Sequence, residues 1–259
     1  MKRFFCFAFC IVMLFAVIAP CHASEALNWY CKHVKGHVQP SAAPELSFVE
    51  DLDAVFLDRA HSDTTEEKVV YLTFDAGYEN GNVARILDVL KEREVRAAFF
   101  ILANLVKKNP ELVMRMADEG HTVCNHTASH KDMSGADDAT LLAELQSMEA
   151  LYKERTGREL AHYYRPPEGR FSRRNLECLK KNGYKTVFWS FAYPDWNNEQ
   201  QMPAEKAKAI ILDNIHNGAI LLLHPTSKTN ADVLGEVIDT LHREGYRFGT
   251  LDECIPLEG

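Results

Sequence analysis

The chain has 259 residues, 46% of them hydrophobic, and a formal net charge of −8. An acidic chain without a cluster of Lys and Arg argues against phosphate-led binding of nucleic acid, and it gives an anionic membrane nothing to attract. No glycine-rich loop of the form G-x-x-x-x-G-K-[ST] or G-x-G-x-x-G precedes a helix, so nucleotide chemistry is not expected.

Lys2 and Arg3 precede an uncharged apolar run over 4–19, and Pro20, Cys21, His22 and Ala23 follow it. This pattern predicts an export signal over 1–23, with the mature chain starting near Ser24. The alternatives are an uncleaved membrane anchor, for which the run is short, and a lipoprotein using Cys21, which the preceding Pro20 fits poorly. Each of them places the protein outside the cytosol. Without Lys2 and Arg3 the charge falls from −8 to −10. The remaining chain, about 235 residues, suits one α/β domain or barrel better than two domains. It keeps four cysteines, Cys31, Cys124, Cys178 and Cys254. They allow three pairings, contain no C-x-x-C, and read as buried thiols or one optional disulfide.

Residues 24–66 read as an irregular N-terminal extension packed on the domain. Pro40, Pro44 and a polar stretch over 63–67 break it up, and a short piece over 46–57 is expected to be helical. From residue 67 the pattern is regular to the end of the chain. Strand-like runs at 69–74, 97–102, 121–124, 162–164, 186–189, 219–223 and 247–251 alternate with helical patterns. The helices are expected at 82–93, 110–120, 138–155, 173–182, 203–216 and 231–243. Alternation of this kind implies a parallel sheet with crossover helices. The fold expected is α/β, a distorted (β/α) barrel of about seven parallel strands.

Such folds gather their chemistry at the C-terminal ends of strands. Asp75, His126, Arg165, Asp195 and His224 each follow a different predicted strand, which favours a closed ring over an open sheet. His126 and His130 are four apart, a spacing that puts two imidazoles on one side of a helical turn and suits a hydrolytic metal. His33 and His37 share that spacing beside Cys31, but no strand end lies near them. Asp75 is placed to take a proton from water as a general base, with Arg165 keeping it ionised. His224 is placed to protonate a leaving amine, with Asp195 raising its pKa. Tyr78, Phe171, Tyr193 and Trp196 lie near these motifs, where aromatic rings can stack on sugars. A G-x-S-x-G elbow is absent. A two-carboxylate glycosidase built on Asp75 and Asp195 would leave the histidines idle.

Taken in order, Thr73-Phe74-Asp75, His126-Thr127-Ala128-Ser129-His130, Arg165-Pro166-Pro167-Glu168-Gly169, Asp195-Trp196 and Leu221-Leu222-Leu223-His224 resemble the five motifs of the NodB-homology polysaccharide deacetylases, carbohydrate esterase family 4. The resemblance covers roughly residues 69–254. It implies a distorted (β/α) barrel over 67–259 and an enzyme that hydrolyses N-acetyl groups on a polysaccharide. Asp75 would be the base, His126 and His130 the ligands of a divalent metal of the Zn, Co or Mn class, Arg165 the orienting group, and His224 with Asp195 the acid. Pro167 and Leu222, with the aromatics named above, would contact substrate.

Gly77-Tyr78-Glu79-Asn80-Gly81, Arg165-Pro166-Pro167 followed by Phe171-Ser172, and Trp189-Ser190-Phe191-Ala192-Tyr193-Pro194-Asp195-Trp196, with Trp29 and Gln39-Pro40 in the leader, are similar to the branch that deacetylates N-acetylmuramic acid on the way to muramic δ-lactam in spore cortex. That similarity implies a peptidoglycan strand as substrate and the cell wall or spore cortex space as the place of work. A monomer with no obligatory protein partner is expected. One departure stands out. The family's second aspartate, a metal ligand, is replaced by Ala76 here; the muramic branch also tends to lack that aspartate, and a metal would be loosely bound. The alternatives are a chitin- or xylan-type deacetylase and a glycan-binding homologue that has lost turnover.

Overall fold

The computed structural model describes residues 25–257, and the predicted export signal over 1–23 lies outside them. The N-terminal extension contributes β1 (Leu27–Asn28), a 3-10 stretch at Pro44–Leu52 and β2 (Ala54–Val55). The helical expectation for 46–57 is therefore corrected. Asp53 takes a left-handed φ of 55° and stops the turns, so the chain leaves as a strand.

The regular part begins with β3 (Lys68–Ala76), α1 (Asn82–Glu92), β4 (Ala98–Ile101), α2 (Ala103–Lys108), α3 (Pro110–Asp118) and β5 (Thr122–Asn125). The chain continues with α4 (Asp138–Thr156), β6 (Ala161–Tyr164), β7 (Arg170–Phe171), α5 (Arg173–Lys181), β8 (Lys185–Val187) and β9 (Phe191–Ala192). It ends in α6 (Ala204–Asn214), β10 (Ala219–Leu223), α7 (Lys228–Arg243), β11 (Tyr246–Phe248) and α8 (Leu251–Cys254).

Helix ends follow local chemistry. Asp137 accepts from the Thr140 amide to open α4, and Gly157, at φ 71°, closes it. Ser172 and Asn175 form a capping box on α5. Ser227 accepts from the Asn230 amide, so α7 starts three residues ahead of the expected position. The six-residue α2 was not expected. It is too short to show a helical period, and it forms because Ala103, Leu105 and Val106 bury against the core.

The main sheet runs β2-β8-β6-β5-β4-β3-β10-β9, with β11 paired to the start of β3. Every pairing in it is parallel. Nine strands take part rather than about seven. The two additions, β2 and β9, are two residues each, below what an apolar pattern can reveal. The sheet curls into a distorted barrel that is not a closed ring, because no pairing among the described residues joins its end strands β2 and β9. The chain itself spans the gap, because β8 pairs with β6 while β9, the next strand along the chain, pairs with β10. The extension therefore contributes a stave of its own, β2, alongside β8.

Period-two alternation along β3 divides the layers. Val69 and Tyr71 face the barrel interior with Phe100, Cys124, Tyr163, Val187 and Ile220. Val70, Leu72, Phe74 and Ala76 pack outward under the helices, with Ile86, Leu87, Phe99 and Ile238. The four cysteines Cys31, Cys124, Cys178 and Cys254 are unpaired.

Candidate active site

The C-terminal strand ends open into one cavity of about 760 Å³, in the range that holds saccharide-sized ligands. Asp75, Tyr78, His126, His130, Tyr193, Trp196, Leu222 and His224 line it. Arg165 and Asp195 stand one layer behind, both buried.

Asp75 ends the inward-facing row of β3. Its Oδ1 accepts from Arg165 Nη1 at 2.8 Å, and its Oδ2 lies 3.5 Å from His126 Nε2. Burial opposes ionisation, but the charges of His126, Arg165 and His224, with the Arg165 hydrogen bond, outweigh it and hold the carboxyl below its ordinary range. Arg165 comes from the end of β6 and is fully buried. Its guanidinium also donates to Thr73 Oγ1 (2.8 Å), Val187 O (2.9 Å) and Phe188 O (3.2 Å), and lies 4.1 Å from the Phe100 ring centre.

His224, just past β10, forms the second pair. Its Nδ1 meets Asp195 Oδ1 at 2.7 Å, while its backbone amide donates to Asp195 Oδ2 at 2.8 Å. Asn230 steadies this carboxylate, donating from Nδ2 to Asp195 Oδ2 at 2.6 Å and to His224 O at 3.0 Å. Burial disfavours the imidazolium, yet the Asp195 hydrogen bond and charge, helped by Asp75, raise His224 above its usual pKa. The cavity is thus bordered by a carboxylate held ionised and an imidazole whose protonated form is favoured.

His126 and His130 do come together, with ring centres 5.1 Å apart. They sit in a loop rather than on a helical turn, which corrects the spacing argument. Thr127 (φ 72°) and His130 (φ 58°) are left-handed, and the Thr127 hydroxyl caps the His130 amide at 2.9 Å. His126 Nδ1 donates to Arg165 O at 2.8 Å, leaving Nε2 facing Asp75. Burial lowers its pKa to about 4, so the ring is neutral near pH 7 and carries its charge only at the acid pH where Asp75 titrates.

Two expected substrate contacts do not reach the cavity. Phe171 is buried in β7 against Phe48 and Phe188, beneath the N-terminal extension. Pro167 is buried as well and does not line it. Gly77, Leu102, Glu168, Gly169, Trp189, Ala192 and Thr226 line it and were not among the expected contacts. Trp189 was hidden because 186–189 reads as unbroken strand, whereas β8 stops at Val187. His33 and His37 stay outside the site. His33 stacks on Phe191 and His37 bonds to Ile215 O at 2.7 Å.

A family profile for polysaccharide deacetylase matches residues 62–187. The chain is 40% identical to peptidoglycan-N-acetylmuramic acid deacetylase PdaA of Bacillus subtilis, over 90% of this chain and 87% of that one. The solved structure of B. subtilis PdaA, a family 4 carbohydrate esterase, superposes with a TM-score of 0.83 at 39% identity, covering 89% of this chain and 97% of that one. A family 4 carbohydrate esterase from Bacillus anthracis superposes at 0.72 with 38% identity, over 90% and 98% of the two chains. The chain belongs to the polysaccharide deacetylases of carbohydrate esterase family 4, hydrolases of N-acetyl amide bonds.

That family is typically metal-dependent. The donors present here do not make a full shell. Ala76 is fully buried in the outer apolar layer and offers no ligand atom. Asp75 has one oxygen committed to Arg165. Among the described residues no three His, Cys, Asp or Glu side chains are grouped to hold an ion. Catalytic zinc sites use three protein ligands, and His126 with His130 supplies two.

Proposed function

We propose that this protein is an exported peptidoglycan deacetylase that removes the acetyl group from N-acetylmuramic acid. The observation that carries the reading is the pair of opposed dyads on one cavity, Arg165–Asp75 and Asp195–His224. Similarity to the muramic acid deacetylase PdaA supports the choice of sugar.

Asp75 accepts a proton as water attacks the acetamide carbonyl. The carbon–nitrogen bond breaks, His224 protonates the departing amine, and acetate leaves. Where no peptide occupies the lactyl carboxyl, the freed amine can close onto its carbonyl, the carboxyl C–O bond breaking and water leaving, to form muramic δ-lactam, the modification of spore cortex. Tyr78, Tyr193 and Trp196 offer rings to the sugar, and Trp196 is 61% exposed, so it is free to stack. A Zn, Co or Mn ion would have His126 and His130 as its protein ligands and would be held weakly.

Acetate release from peptide-free peptidoglycan strands and from N-acetylglucosamine oligomers tests the reading, with and without chelator. Release from the muramic strands and not from the oligomers is expected. Release from the oligomers alone would move the protein to the chitin type. Binding without any release would make it a glycan-binding homologue.

The pH dependence carries a sign. The charged form of His224 is present below its raised pKa and is lost as pH rises through it, so kcat falls on the alkaline side. Asp195→Asn removes the raising charge. Its alkaline limb should move to lower pH, with kcat down by roughly 10- to 100-fold. An unmoved limb would remove His224 from the role of acid.

A further inference from the structure

The side of the cavity formed by Gly169 and Trp189 depends on a residue far away in the sequence. After β8 ends at Val187, three successive carbonyls lose the regular ladder. Val187 O and Phe188 O accept from the buried Arg165. Trp189 O accepts instead from the indole Nε1 of Trp29, at 2.9 Å. The Trp29 amide also donates to Gly169 O at 2.8 Å. Just before it, β1 pairs antiparallel with β7, Leu27 opposite Phe171 and Asn28 opposite Arg170.

The packing is equally specific. The Trp29 ring is 4% exposed, stacks on Phe188 at 4.5 Å and tilts against Phe56 at 5.0 Å. Gly169 has a left-handed φ of 67°, and a Cβ there would lie 2.8 Å from Trp189 Cη2 and 3.3 Å from Trp29 Cβ. Only glycine lets the backbone pass between the two tryptophans. Gly169 and Trp189 line the cavity, and Trp29 does not.

We propose that Trp29 is a positioning residue of the glycan-binding wall, so that the N-terminal segment is a working part of the groove. If the protein is the deacetylase proposed for it, Trp29 sets substrate affinity through Trp189 and Gly169. Asp75 with Arg165 and Asp195 with His224 are each held by a side-chain bond in which Trp29 takes no part, so a displaced wall weakens ground and transition states alike. The effect then falls on KM and spares kcat.

Trp29→Phe tests this, since phenylalanine keeps a ring against Phe188 and loses the indole donor. Gln39→Ala is the control. Gln39 anchors the same extension elsewhere, donating from Nε2 to Asp58 O, His61 O and Asn217 O at 3.1, 2.7 and 2.8 Å, away from the cavity. Both variants should lower Tm. Trp29→Phe should raise KM for peptide-free peptidoglycan strands about fivefold, with kcat within about twofold and the pH profile unmoved. Gln39→Ala should leave KM unchanged. Gly169→Ala, with Trp29 intact, should raise KM in the same direction and covers the case of an insoluble Trp29→Phe.

Unchanged KM in Trp29→Phe, or an equal rise in Gln39→Ala, overturns the proposal. If the parent releases no acetate, it is the deacetylase reading that fails. The wall is then read from the dissociation constant of the same strands, which Trp29→Phe should weaken about fivefold and Gln39→Ala should not. Equal constants in that measurement overturn the proposal too.

Discussion

Asp75→Asn is expected to cut acetate release by about three orders of magnitude while glycan binding stays within a few-fold of the parent. The substitution is nearly isosteric, so the cavity keeps its shape and its aromatic rim. What changes is proton affinity. A carboxylate held below its usual range by His126, Arg165 and His224 is ionised at neutral pH and can take a proton from water. An amide in the same place cannot. The amide oxygen of the variant would still accept from Arg165 Nη1, so the stability loss should be modest, about 1–3 kcal/mol. A urea melt beside the activity assay separates the two effects. Activity above about a tenth of the parent, in a folded variant, would remove Asp75 from the role of base.

Residues at strand ends were legible because a parallel sheet with alternating helices leaves few places for chemistry. Asp75, His126 and His224 followed clear apolar runs, and the fold delivered all three to one cavity. Local geometry was less legible. The spacing of His126 and His130 suggested a helical turn, whereas two left-handed residues and a threonine cap make a loop. Trp189 was concealed by a strand that ends ahead of it, at Val187. Phe171 was misplaced for a different reason. It follows the Arg165 motif closely in sequence, but it pairs with Leu27 and turns into the core beneath the extension. Trp29 and Trp189 stand 160 residues apart, and a contact over that separation leaves no local signal. The structural role of the N-terminal extension therefore emerged only from the fold. The same holds for Asn230, whose part in holding Asp195 depends on where α7 begins.

Arg165→Leu is expected to give the largest loss of stability, about 3–5 kcal/mol, together with near-complete loss of activity. The guanidinium is wholly buried, and its four hydrogen bonds tie Asp75 and Thr73 on β3 to the carbonyls of Val187 and Phe188 where β8 breaks off. Leucine fills much of the space and satisfies none of these groups. It leaves a carboxylate in the barrel with burial less opposed, so the Asp75 pKa rises. In the parent, Asp75 has a depressed pKa; its contribution to stability is present above the unfolded value and is lost as pH falls through the folded one. In Arg165→Leu that loss begins at higher pH, and any residual activity should show its acid limb displaced in the same direction. Arg165→Lys returns the charge without the planar fork, and should recover part of the Asp75 shift while leaving the carbonyls of the broken strand poorly held. Urea unfolding and kcat against pH, measured on both variants, read the two halves separately. Parental stability in Arg165→Leu, or an acid limb that does not move, would mean that Arg165 neither braces the break in the strand nor keeps Asp75 ionised.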